Sequence, residues 1–255
     1  MSIPTGPWRV LGASICGTSH QQNGKACQDA HAWRVSRHGI LVAAVADGAG
    51  STSLGGVGAR VAADAAIETA CSGFTNPSKL EEQQGKELLL RALEAARQAV
   101  VEAASNQEHP VGDFASTLIL AVAGDNFVAA IQVGDGALVV EDDQQQMIAL
   151  TKPQRGEYAN ETNFLTSAEY LSCAQAVVWQ GNPRSLALFS DGLQMLALDM
   201  QPCQPHVAFF SPLFQFVRAV TDDGEGQQQL TSFLCSPRVT ERTDDDLTLL
   251  VAACG

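Results

Sequence analysis

The stretch ILVAAVADGAGSTSLGGVG, residues 40–58, decides how this chain is read. Ile40 to Ala46 is an unbroken apolar run, the pattern of a short strand covered on both faces. A carboxylate, Asp47, stands at its end, and glycines crowd the segment that follows. Two explanations compete: the glycines cradle a phosphate, or they keep the approach open around a metal ion held by Asp47. Gly50 and Gly55 have the spacing of a GxxxxGK[ST] loop, but Gly56 occupies the lysine position, so the phosphates would lose their cation. The dinucleotide fingerprint GxGxxG fails at Ser53, and no GxSxG nucleophile elbow occurs in the chain.

Working outward, residues 8–15 and 28–36 read as further strands. From Gly56 to about Cys71, Val57, Val61, Ala65 and Ile67 recur at helical spacing. Residues 76–105 give a longer helix, with Ser78 as its N-cap and Leu89, Leu93, Ala96 and Val100 along one face. Residues 116–124 and 126–135 form a hairpin turning at Gly124-Asp125-Asn126, and residues 137–150 form another with an acidic, Gln-rich tip. Residues 152–175 are polar and aperiodic, a surface excursion. Residues 176–192 read as strand, turn and strand, residues 206–220 and 225–236 as helices, and the last strand opens with Asp244-Asp245-Asp246. Strands joined by hairpins imply antiparallel sheets with helices packed outside, an α+β layered sandwich. Without repeat or linker, residues 1–255 are expected to form one domain.

Composition narrows the function. With 28 acidic against 15 basic residues the net charge is −13, which disfavours nucleic acid and anionic membrane as partners. The seven cysteines are scattered and form no CxxC pair, so neither a disulfide framework nor a zinc knuckle is expected. The N-terminus lacks the charged and apolar regions of a signal peptide, and no apolar run reaches membrane-spanning length, so a cytoplasmic location is expected.

Acids recur at strand ends. Asp47 and Asp191 each end an apolar strand and precede a glycine, Asp135 lies between Gly134 and Gly136, Asp245 precedes the last strand, and Asp29 stands at the start of another. One such acid is ordinarily a turn former. Several at one end of a sheet would repel, and a hard cation with oxygen ligands relieves that repulsion. Magnesium and manganese suit such ligands, whereas zinc would call for His or Cys.

In order and spacing, VADGAGS (45–51), GDG (134–136), FSDGL (189–193) and DDDLTLLV (244–251) resemble the blocks of the metal-dependent protein phosphatase 2C family. GTSHQQNGKACQDA (17–30) resembles the opening block of a bacterial branch. The resemblance implies a four-layer α-β-β-α sandwich of two antiparallel sheets flanked by helices, with a two-metal centre at one end. Carried over position by position, Asp47 bridges two Mn²⁺ or Mg²⁺ ions and Gly48 offers its carbonyl. Asp191 and Asp245 complete one shell, and Asp29 holds waters on the other ion. The implied reaction is hydrolysis of phosphoserine or phosphothreonine in a protein by a metal-bridging hydroxide, reversing a kinase, with the enzyme working as a monomer.

This chain departs from the family in three places. Met195 replaces the aspartate that would share a third metal with Asp135, so two ions are expected. Ala49 stands where some members carry a histidine, and Gly24 where some carry a phosphate-gripping arginine. His20 and Lys25 lie close by in sequence and can donate to phosphate oxygens, His20 being read as a candidate catalytic residue. His31, two residues beyond Asp29, would share its face. The rival reading is a catalytically weakened, phosphatase-like module that binds phosphoproteins or regulates them; hydrolysis of a small phosphoester would use the same metals.

Overall fold

A computed structural model describes residues 8–73, 80–154 and 162–254. The N-terminal half runs β1 (Trp8–Ile15), α1 (Thr18–Gln22), β2 (Ala30–Val35), β3 (Leu41–Ala46), α2 (Gly55–Gly73) and α3 (Glu82–Asn106). Next come β4 (Leu118–Ala123), β5 (Phe127–Val133), β6 (Ala137–Asp142), β7 (Met147–Thr151), α4 (Tyr170–Cys173), β8 (Gln175–Gln180) and β9 (Pro183–Phe189). The chain ends with α5 (Gln194–Ala197), the short pair β10 (Leu198–Asp199) and β11 (Gln204–Pro205), α6 (Val207–Ala219), α7 (Asp223–Leu234), α8 (Pro237–Thr240) and β12 (Leu247–Cys254).

Ten strands form two five-stranded antiparallel sheets, ordered β1-β12-β9-β6-β7 and β2-β3-β4-β5-β8. Because side chains alternate along a strand, each central strand feeds two cores. On β3, Leu41, Ala43 and Val45 join Ile119 of β4 in facing Leu188 and Leu250 of the other sheet. Val42, Ala44 and Ala46 face the opposite way, against Ala59, Ala63 and Leu93 of α2 and α3. Both faces are covered, which is why residues 40–46 show no polar alternation. The first sheet's outer face packs Phe189, Leu249 and Val251 against Phe210 and Phe214 of α6 and Leu230 of α7. The layers are therefore helix, sheet, sheet, helix, as the sequence and the resemblance imply.

Two local features go beyond the sequence pattern. The long helix begins at Glu82 with Glu81 in the N-cap position, and Ser78 lies outside the described residues. Residues 176–192 are strand, turn and strand as expected, but the two strands do not pair with each other: β8 pairs with β5 in one sheet and β9 with β12 and β6 in the other. The chain changes sheets at Gly181, whose N–H donates to Asn126 O (3.0 Å) and whose missing Cβ leaves room for the Trp179 ring. A strand–turn–strand pattern reads the same whether the second strand pairs with the first or passes to the facing sheet.

Phe210 is fully buried, with its ring centroid 5.9 Å from that of Phe189 and 5.7 Å from that of Phe214. Phe210→Ala is expected to cost about 3–5 kcal/mol in urea unfolding, the range for emptying an aromatic core site. Met195→Ala, at a side chain 72 % exposed, should stay within about 0.5 kcal/mol of wild type.

Candidate metal centre

Strand register gathers the acids. Ala30 of β2 is paired with Ala46 of β3, so Asp29 and Asp47 leave the same end of one sheet. In the other sheet Phe189 of β9 is paired with both Ala137 of β6 and Leu249 of β12. Asp191, two residues past Phe189, therefore falls beside Asp135, two residues before Ala137. Asp135 sits where the chain passes from β5 in one sheet to β6 in the other. Carboxylate oxygens of Asp47, Asp135 and Asp191 all lie within 4.8 Å of one another. Asp245 acts electrostatically on all three, and Asp29 on Asp47 and Asp191.

Glycines make the convergence sterically possible. A Cβ on Gly48 would lie 2.3 Å from the Gly55 carbonyl carbon, on Gly192 2.2 Å from Asp246 O, and on Gly17 2.3 Å from the Asp245 carbonyl carbon. Gly17 and Gly192 let their loops touch the Asp244–Asp246 segment, and Gly48 lets the Asp47 loop touch the start of α2. The Asp47 loop is tied down by Asp47 N–H to Thr117 Oγ1 (3.0 Å), Thr117 N–H to Asp47 O (2.8 Å) and Gly48 N–H to Gln28 O (3.2 Å).

Burial and mutual repulsion disfavour the charged carboxylates. Burial raises Asp29 to about 6, despite a hydrogen bond from Ser190. Asp191 rises to about 7 through burial and then Asp135 and Asp245, and Asp47 rises well above the usual range through burial and then Asp29 and Asp191. Asp135 is also raised, chiefly by burial. Asp29 Oδ1 and Asp191 Oδ1 are buried without a hydrogen-bond partner. The cluster offers oxygen donors alone among the described residues, with two orphaned acceptors and excess negative charge. That donor set fits a hard divalent cation and does not fit zinc.

Not every expected residue joins the cluster in the expected way. Asp135, expected among the acids of the site, lies with Asp47 and Asp191, and Thr162 Oγ1 donates to its Oδ2 (2.7 Å). His20, only 8 % exposed, has Nδ1 2.9 Å from Asp246 Oδ2, and Nε2 directed at Gly50. The ring of this candidate catalytic residue is thus held between the Asp246 carboxylate and the Gly50 loop. Lys25 is exposed and donates to Gly50 O (2.7 Å), on the loop that follows Asp47.

Sequence reasoning missed two residues. Asp246, 2 % exposed, accepts from Gly17 N–H (2.7 Å) and Gln28 N–H (2.6 Å), holding the opening segment against the last strand. Ser190 donates to Asp29 Oδ2 (2.7 Å) and so fixes that carboxylate across the sheet interface. The adjacency of Asp245 and Asp246 was a usable signal for the first: neighbours at a strand start point to opposite sides, so one of the two turns away from the cluster.

With fold and site described, the class follows: the chain belongs to the protein phosphatase 2C family, whose model matches residues 16–235. It is 37% identical over 257 residues to serine/threonine-protein phosphatase 3 of Escherichia coli (strain K12), spanning 96% of this chain and 98% of that protein. The S. agalactiae serine/threonine phosphatase shares the fold at TM-score 0.64 and 14% identity, over 97% of this chain and 100% of that one. RsbX, solved in complex with magnesium, shares it at TM-score 0.59 and 14% identity, over 100% and 98%.

The raised carboxylates make the metal-free protein sensitive to pH. Between about pH 4 and 7 the folded chain holds protons on Asp29 and Asp191 that the unfolded chain has released, so stability falls as pH rises through that window. Melting in chelator should therefore occur at higher temperature at pH 5 than at pH 7.5, and Mn²⁺ should raise the melting temperature more at pH 7.5. An unchanged melting temperature across both conditions would contradict a crowded acidic centre.

Proposed function

We propose that this chain is a Mn²⁺- or Mg²⁺-dependent serine/threonine protein phosphatase that removes phosphate from phosphoserine and phosphothreonine in proteins. The observation that carries the reading is the Asp47–Asp135–Asp191 cluster, with orphaned oxygens on Asp29 and Asp191. Membership of the phosphatase family and the name of the Escherichia coli relative support the reaction, and the magnesium in RsbX supports the choice of cation.

Asp47 would bridge two cations, Gly48 would offer its carbonyl, Asp191 and Asp245 would hold one ion, and Asp29 the waters of the other. Such ions supply acidified water for in-line attack and neutralise phosphoryl oxygens. The chain's own part is positioning. Gly48 and Gly192 let the acid-bearing segments pack against neighbouring backbone, and Ser190 orients Asp29. Asp135, held by Thr162, adds negative charge that favours cation binding. Lys25 on the Gly50 loop is the candidate to meet a phosphoryl oxygen, taking the part of the family arginine that Gly24 replaces. His20 serves as a positioning residue through Asp246. A phosphoprotein-binding module without turnover has no use for several uncompensated carboxylates held this close, so the enzyme reading is favoured.

The test is hydrolysis of a phosphothreonine peptide in chelator and after adding Mn²⁺. Activity should vanish and return. Asp47→Asn should be the most damaging single change, exceeding the roughly 10–100-fold loss typical of an outer-shell partner. Asp191→Ala should follow, with Asp135→Ala milder. Full turnover in excess chelator, or by Asp47→Asn, would refute the reading.

A further inference from the structure

At the acidic end of the sandwich, three hydroxyl residues line up across one sheet. Ser14 of β1 is paired with Thr248 of β12, and Ser190 follows β9 beside Thr248. Elsewhere the same inner face is apolar, carrying Val10, Leu188 and Leu250. Opposite this row, on the other sheet, stand Asp29 and His31, two residues apart and therefore on one face. Ser190 Oγ donates to Asp29 Oδ2 (2.7 Å) and accepts from Thr248 N–H (3.0 Å). Thr248 Oγ1 donates to Ser14 Oγ (2.6 Å), and Ser14 Oγ lies 2.8 Å from His31 Nδ1. The His31 ring is stacked on Trp33 with centroids 5.8 Å apart, and its edge lies over Gly12, where a Cβ would come within 2.7 Å. Ser190 and Thr248 are buried, so water offers them no easy substitute.

We infer that Ser14, Thr248 and Ser190, gripped by His31, form an inter-sheet clamp that holds Asp29 in register with the acids of the facing sheet. The cation site is built across the sheet interface: Asp29 and Asp47 leave one sheet, Asp191 and Asp245 flank strands of the other. Small changes in sheet separation would spread the ligands, and two polar contacts, Asp29 to Ser190 and His31 to Ser14, tie the sheets together there. Thr248 joins the two contacts on its own side. His31 is thus a positioning residue that acts through hydroxyls, not a group that meets substrate. The inference rests on the cation-binding reading above.

Isothermal calorimetry with Mn²⁺ on the full chain tests it. Ser14→Ala and His31→Phe, the latter keeping a ring to stack on Trp33, should each weaken Mn²⁺ binding about 10-fold or more. The double variant should be no weaker than the worse single one, because either change opens the same chain of bonds. His31→Asn, which still presents a polar atom near the Nδ1 position, should restore most of the affinity. In chelator, Ser14→Ala should melt within a few degrees of wild type. Wild-type Mn²⁺ affinity in both single variants, or simple additivity in the double, would overturn the clamp while leaving the cation reading intact. A wild-type chain that binds no Mn²⁺ would remove both.

Discussion

Repulsion among aspartates drawn from both sheets is the constraint on which the rest of this structure depends. Asp29, Asp47, Asp135, Asp191 and Asp245 act on one another at the same end of the sandwich, and burial of the first four removes much of the water that would screen them. Nothing in folding alone rewards that arrangement; an apolar strand end would cost less. The chain sustains it with glycines that let loops touch, backbone N–H groups that fix Asp246, and hydroxyls that restrain Asp29. Such a site stores unfavourable charge that a divalent cation relieves on binding.

The sandwich suits this purpose because its sheets are rigid and its interface is dry. Leu41, Ile119, Leu188 and Leu250 fix the spacing between the sheets along most of their length. At the acidic end this apolar filling gives way to Ser14, Thr248, Ser190, Asp29 and His31. Directional hydrogen bonds then take over from packing, and they define ligand positions more sharply than apolar contact can. The hairpin tip of β6 and β7 and the crossing at Gly181 lie at the other end of β9, away from the cluster.

Much of this was legible in the sequence, and the parts that were not share a cause. Strands such as 40–46 and 247–254 announce themselves because both faces are buried. Asp47, Asp191 and Asp135 stand out because each adjoins a glycine at a strand end. Partners from distant segments leave no local pattern. β8 and β9 look like a hairpin yet belong to different sheets, since the choice is made by facing strands far away in the chain. His20 looks like a phosphate donor, and only the fold sets Asp246, from the far end of the chain, against its ring. The β5–β6 crossing is what carries Asp135 to Asp47 and Asp191. Nothing local marks Ser190, whose partner Asp29 is brought across from the other sheet.

The central claim is that the carboxylates are gathered to hold hard cations between the sheets. Anomalous diffraction at the manganese edge, from crystals soaked in moderate Mn²⁺, tests it most directly. The account predicts two peaks, both at coordinating distance from Asp47, one of them also reached by Asp191 and Asp245. An acidic end with no peak at all, its aspartates instead protonated and hydrogen-bonded to one another, would contradict it.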